Sequence, residues 1–163
     1  MATVTTLAKA VGGKGNPGNK PYMVEKEIDL AAAATAKGSA LAANDIIQAI
    51  TVGTNTMVMA AGMEITTAPA GGNSCTIDLG ITGGDVDAFV DGMTVTGASA
   101  GAYGTLANTA CPIIVTTSDT IDMLVLGTTP DTSGKIRVFA VLMDVDSIGS
   151  DKGADEVDRD YLA

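Results

Sequence analysis

Side chains that could do acid, base or nucleophilic chemistry near pH 7 are scarce in this sequence. None of its 163 residues is His, so the group whose free pKa suits proton transfer at neutral pH is missing, and with it the base of the usual Ser and Cys triads. Cys111, followed by Pro112, has neutral neighbours and no imidazole to activate it; it reads as a buried structural thiol. Paired carboxylates could serve glycoside hydrolysis only across a cleft, with one pKa raised and one ordinary. Most acids here fall at alternate, outward strand positions or in turns, and two Phe, three Tyr and no Trp leave little to stack a sugar on.

The run Gly83-Gly84-Asp85-Val86-Asp87-Ala88-Phe89-Val90-Asp91-Gly92 sets three Asp near glycine bends, which could gather oxygens around Ca²⁺. Its spacing departs from the EF-hand loop: Asp91 follows Asp87 by four residues instead of two, and no Glu closes the run. An ordinary acidic loop is the expectation. Gly12-Gly13-Lys14-Gly15 follows no strand pattern and 97–104 lacks a Lys-Ser/Thr ending, so neither is a dinucleotide or phosphate loop. The sequence therefore predicts no enzyme, no catalytic or cofactor-binding residue, no metal ligand and no small-molecule substrate.

Charge narrows the partners. Residues 38–134 contain nine carboxylates (Asp45, Glu64, Asp78, Asp85, Asp87, Asp91, Asp119, Asp122, Asp131) and no Lys or Arg. Phosphate binding needs cations to displace condensed counterions, so a nucleic-acid partner is not expected for this part. No apolar run reaches membrane-spanning length, and the opening MATVTTLAKAVGGKGNPGNKP lacks the apolar stretch of a signal peptide. The expectation is synthesis in a reducing cytoplasm, with Cys75 and Cys111 as free thiols.

The elements that would carry these residues are strands. A chain of this length can bury about 70% of its unfolded surface, and Ala, Val, Ile, Leu and Met must fill the core. Residues 1–21, Gly- and Lys-rich without an apolar period, read as a flexible basic arm, and 147–163, with Asp151, Asp155, Glu156, Asp158 and Asp160, as an acidic tail. Between them, 22–146 shows short runs of period near two broken by Gly, Asn, Asp, Ser or Pro, predicting strands near 23–30, 46–52, 57–66, 76–81, 113–117, 121–126 and 135–144. In Thr76-Ile77-Asp78-Leu79-Gly80-Ile81 the alternation predicts one wet face. In 135–144, Ile136, Val138, Ala140 and Leu142 alternate with Arg137, Phe139, Val141 and Met143, so a central strand covered on both sides is expected. Thr117-Ser118-Asp119 reads as a tight hairpin connection. The Ala-rich stretch 30–43 has helix propensity, but Gly38 interrupts it and no broad apolar stripe supports it, so it is read as non-helical. The pattern predicts an all-β fold, an antiparallel β-sandwich or jelly-roll-like domain.

Several strings are also familiar. Asp45-Ile46-Ile47-Gln48-Ala49-Ile50-Thr51-Val52, Asn55-Thr56-Met57-Val58-Met59-Ala60-Ala61-Gly62-Met63-Glu64, Thr76-Ile77-Asp78-Leu79-Gly80, Tyr103-Gly104-Thr105-Leu106-Ala107-Asn108-Thr109 and Asp131-Thr132-Ser133-Gly134-Lys135-Ile136-Arg137-Val138 resemble small virion structural proteins of tailed phages, above all those of cyanobacteria and other marine bacteria. The resemblance spans about 22–146. It implies a β-sandwich component of the particle, a head decoration or cement protein on the capsid surface, with the major capsid protein as partner and a homotrimer as the natural form at a three-fold axis. A tail or fibre location, or a non-catalytic cell- or glycan-binding sandwich, is the competing expectation.

Overall fold

Nine strands and one helix follow one another in the chain: β1 (Thr3–Lys9), β2 (Tyr22–Asp29), α1 (Leu30–Lys37), β3 (Ile46–Val52), β4 (Thr56–Ala70), β5 (Ser74–Ile81), β6 (Val90–Thr94), β7 (Ile113–Val115), β8 (Asp119–Thr129) and β9 (Ser133–Asp144). The computed structural model describes residues 3–9, 21–107 and 111–145. Residues 10–20 of the expected arm and the whole expected tail, 147–163, lie outside the described residues. The strands form a five-stranded sheet, in the order β1-β3-β8-β5-β6, and a four-stranded sheet, β2-β9-β4-β7. The all-β sandwich is thus as expected, antiparallel throughout except where β1 runs parallel to β3.

The aliphatic alternation read from the sequence makes the core. From the four-stranded sheet, Ile28, Val58, Ala61, Met63, Ile65, Ile136, Val138, Ala140 and Leu142 point inward; Ile47, Ala49, Val52, Ile77, Leu79, Ile121, Met123 and Val125 meet them from the other, all at most 1% exposed. Phe89, fully buried, supplies the one aromatic ring in this core. Each such side chain contributes about 1.5–3 kcal/mol by leaving water, enough for aliphatic packing to carry the fold without a buried Trp. One open edge is sealed by the segment 101–107. Its Gly101 amide donates to the Ile65 carbonyl at 2.8 Å and the Gly104 amide to the Met63 carbonyl at 3.0 Å, while the Ala107 amide donates at 2.8 Å to the carbonyl of Phe89, just ahead of β6 of the opposite sheet. That leaves less of the β4 edge free to pair with another chain.

Four expectations are corrected. First, Leu30–Lys37 is a helix: the Asp29 carboxylate caps it by accepting from the Ala31 and Ala32 amides at 2.9 and 3.1 Å, and Gly38, at φ 80°, ends it in the left-handed conformation. Gly38 is the stop of a short helix and not an interruption of a long one. Leu30 and Ala33 alone anchor it to the core, so a broad apolar stripe was never required. Second, Thr3–Lys9, inside the expected arm, forms β1: the β-branched Thr3, Val4, Thr5 and Thr6 favour a strand locally although the stretch as a whole is rich in Gly and Lys. Third, Thr117-Ser118-Asp119 is no hairpin. β7 pairs with β4 and β8 with β3 and β5, so the connection crosses between sheets. Fourth, β9 is central, between β2 and β4, but only its inward face is covered by this chain.

Candidate docking face

The residues singled out for chemistry are dispersed. Cys75 is buried and Cys111 half-buried, both free thiols, and burial pushes each thiol up, away from the reactive thiolate. In the Gly83–Gly92 run, Asp87 is raised, chiefly by its hydrogen bond with Asp85. No group of three His, Cys, Asp or Glu among the described residues could hold a metal ion. No helix among them is long and apolar enough to cross a membrane.

The acids hold a surprise for the alternation argument. Asp45, Asp78, Asp122 and Asp131, expected at wet positions, are at most 7% exposed. Three of them have structural partners. Asp45 pairs with Lys37; Asp78 accepts from the Gly92 amide at 2.7 Å; Asp131 accepts from the Thr96 hydroxyl at 2.6 Å and the Gly72 amide at 3.3 Å. Asp122 alone has both carboxylate oxygens buried without a hydrogen-bond partner. The 82–88 turn lies over Asp122, and the irregular pairing of β5 with β6 brings the Gly92 amide onto Asp78, neither of which strand periodicity can foresee.

What the chain leaves uncovered is the outside of the four-stranded sheet. Register fixes its rungs: Met23 lies beside Val141 and Ala60, Glu25 beside Phe139 and Gly62, Glu27 beside Arg137 and Glu64, and Met57 between Met143 and Ile114. Because alternate residues share a face, these outward positions divide it in two. One half is apolar, with Met23 62% and Ile114 51% exposed, and Met59, extruded by the bulge between Val58 and Ala60, also exposed. The Phe139 ring lies across Gly62, where a Cβ would come within 2.7 Å of Phe139 Cζ and 3.1 Å of Leu106 Cδ2. Glycine at 62 is what lets the ring lie along the sheet. Tyr103 and Leu106, on the sealing segment, extend the patch at its edge.

The other half is ionic, with two cations, Lys135 and Arg137, set among three carboxylates, Glu25, Glu27 and Glu64. Arg137 donates through Nε to Glu64 Oε2 at 3.1 Å and through its terminal nitrogen to the same oxygen, and its second terminal nitrogen stands 3.7 Å from Glu25. Lys135 Nζ donates to Glu27 Oε1 at 3.0 Å. These pairs raise Arg137 and Lys135 and lower Glu27, in each case chiefly through the hydrogen bond itself. In a chain of formal net charge −10, this face places cations among its acids. Of the eight Met in the sequence, four (Met23, Met57, Met59, Met143) gather here. Methionine is flexible and polarisable and suits a surface that must fit slightly different neighbours. The sequence signal for this face was the doubly apolar pattern of β9; only the sheet order showed which side lacks cover.

No family model and no curated protein matches the sequence. The fold does have solved likenesses. A chain in the capsid of Ralstonia phage GP4 superposes with a TM-score of 0.60 over 85% of this chain and 98% of that one, at 16% identity. A chain of the cyanophage Pam1 capsid asymmetric unit gives 0.54 over 83% and 93%, at 13% identity. A chain of the acid-stable capsid of Helicobacter pylori bacteriophage KHP30 gives 0.52 over 76% and 86%, at 9% identity. At these identities the likeness is one of fold, and it covers those chains nearly from end to end.

Proposed function

We propose that this protein is a structural component of a phage virion, a decoration or cement protein that binds the outside of the capsid lattice and does no catalysis. The observation that carries the reading is the end-to-end match to chains of capsid structures. In each case the aligned share is larger for the other chain than for this one, so the likeness is to whole small chains and not to one domain of a larger protein. From β2 to β9 the strands alternate between the sheets except at the adjacent pair β5 and β6, giving β2-β9-β4-β7 against β3-β8-β5-β6, which supports reading the sandwich as a jelly roll, an architecture of viral capsid domains.

In this reading the outer face of the four-stranded sheet rests on the major capsid protein. A surface apolar patch flanked by satisfied ion pairs suits a protein interface, and the methionines let it adapt to lattice positions that are not identical. A three-fold axis makes a homotrimer the natural form. The body is 22–146 with β1 joined to its sheet, and the rest of the 1–21 arm and the 147–163 tail are the parts that reach toward neighbours. The test is reconstitution: purified protein added to particles that lack it, followed by cryo-electron microscopy. Density outside the shell, with the four-stranded sheet turned inward and lost for a Met59→Asp/Ile114→Asp variant, is expected. Failure to bind any capsid, or undiminished binding by a folded variant, would overturn the proposal.

A further inference from the structure

The feature that the docking face leaves unused is Asp122. It sits mid-strand in β8, between the cross-strand neighbours Gln48 of β3 and Gly80 of β5, on the side of the five-stranded sheet that strand periodicity assigns to water. The turn at residues 82–88 covers it. This flap lies flat on Gly80, where any Cβ would overlap the carbonyl oxygens of Asp85 and Val86. A small pocket beneath it, lined by Ile46, Ile81, Thr82, Val86 and Leu124, borders Asp122 and is mostly apolar. Few bonds hold the flap shut: Gly84 to the Ile81 carbonyl at 3.0 Å, Ile81 to the Asp85 carbonyl at 2.9 Å, and the Gly83 amide to Asp119 Oδ2 at 3.2 Å.

Such a pocket accepts a carboxylic acid far more readily than a carboxylate, because an ion without a partner in apolar surroundings loses its hydration and gains nothing. We infer that residues 82–88 form a proton-operated latch, closed over Asp122 while its carboxyl is protonated and released when the carboxyl ionises. The charged surroundings agree. The acid acting on Asp122 from its own strand, Asp119, disfavours ionisation as burial does; β3 and β5 present the uncharged Gln48 and Gly80; and the flap's titratable groups, Asp85 and Asp87, are themselves acids. Among the described residues no basic side chain acts on it. The Thr120 hydroxyl and the Thr82 amide pull toward ionisation without closing a hydrogen bond. The balance leaves Asp122 raised from 3.8 to about 7. A carboxyl that regains its ordinary value when the flap lifts makes opening about a hundredfold more favourable at pH 8.5 than at pH 5.

Amide hydrogen exchange of the full-length protein, followed at both pH values and corrected for the intrinsic rate, reads this directly. Protection of 82–88 should fall by about that factor at pH 8.5 while the β8 and β9 amides keep theirs. Asp122→Asn should hold the flap equally protected at both pH values, and Gly80→Ala, which pushes the flap off the strand, should leave it unprotected at both. Equal protection of the wild-type flap at the two pH values, greater protection at pH 8.5, or an undiminished pH response in Asp122→Asn would overturn the inference. None of these outcomes depends on whether the protein binds capsids.

Discussion

Lys37→Met is the substitution that most directly tests the energetics of the fold. Lys37, the last residue of α1, ion-pairs with Asp45, just ahead of β3, with the two side chains 11% and 3% exposed. Lys37 Nζ also donates to the Ala40 carbonyl at 2.8 Å, and the Asp45 carboxylate accepts from the Ala42 amide at 2.7 Å. The Asp45 backbone meanwhile accepts from Val125 at 2.9 Å. The pair thus pins the helix end and the loop after it to the five-stranded sheet. Met keeps most of the volume and removes the charge, leaving a buried carboxylate short of its counter-ion, which costs about 3–5 kcal/mol. At about 2–4 °C per kcal/mol for a chain of this size, thermal unfolding followed by circular dichroism at pH 7 should drop by roughly 6–20 °C. The double variant Lys37→Met/Asp45→Leu should recover most of the loss, since an apolar pair can replace a buried ion pair at little cost. Glu27→Gln, which breaks the exposed Lys135 pair, should leave the melting temperature almost unchanged, since solvent screens an exposed pair. A Lys37→Met loss no larger than that of Glu27→Gln, or no recovery in the double variant, would refute the argument that burial sets the worth of these pairs.

Other consequences are open to simple measurement. For Asp122 the folded value of about 7 lies above 3.8, so its contribution to stability is whole below about pH 4 and is lost as pH rises through about 7. Asp122→Asn should therefore be the more stable protein above pH 7, by up to about 4 kcal/mol, with the difference shrinking toward pH 4; urea titrations across that range would show a wrong sign at once. Tyr22, whose hydroxyl donates to Asp144 Oδ1 at 2.8 Å, is pushed up to about 12, first by burial and then by that bond. Its phenolate absorbance should stay silent at pH 11, and Tyr22→Phe should remove that late step at a cost of about 1 kcal/mol. Phe89→Ala empties the centre of the core and should cost about 3–5 kcal/mol in chemical denaturation. Gly62→Ala should lift Phe139 off β4, weakening capsid binding in a co-sedimentation assay more than it lowers the melting temperature.

What the sequence made legible was the part of the fold that a single strand encodes. Ile77 and Leu79 in β5, or Ile136, Val138, Ala140 and Leu142 in β9, declare their inward face by period alone, and all are buried. Features set by what lies across a strand were not legible. Asp78 and Asp122 occupy positions that alternation gives to water, yet Gly92 reaches over one and the 82–88 flap over the other. The helix at Leu30–Lys37 went unread because its two signals, the Asp29 cap and the Gly38 stop, lie outside its Ala run, whose own residues say little about where a helix begins or ends.

The double apolarity of β9 was legible and was completed wrongly. Phe139, Val141 and Met143 call for a second layer, because apolar residues on both faces of a strand signal cover on both faces. The chain supplies that layer on one side only. The rung partners of Val141 and Met143, namely Met23, Ala60 and Met57, are themselves apolar, so at this end of the sheet the outward pattern is not an accident of one strand but is matched across three. Selection on stability of an isolated chain has no use for four outward methionines beside a phenylalanine, since their exposure adds an aggregation hazard and no folding energy. A pattern that is wasteful in the monomer and consistent across neighbouring strands is what a permanent neighbour would leave in a sequence. This is why substitutions at Met59 and Ile114, nearly neutral for folding, should be felt in assembly.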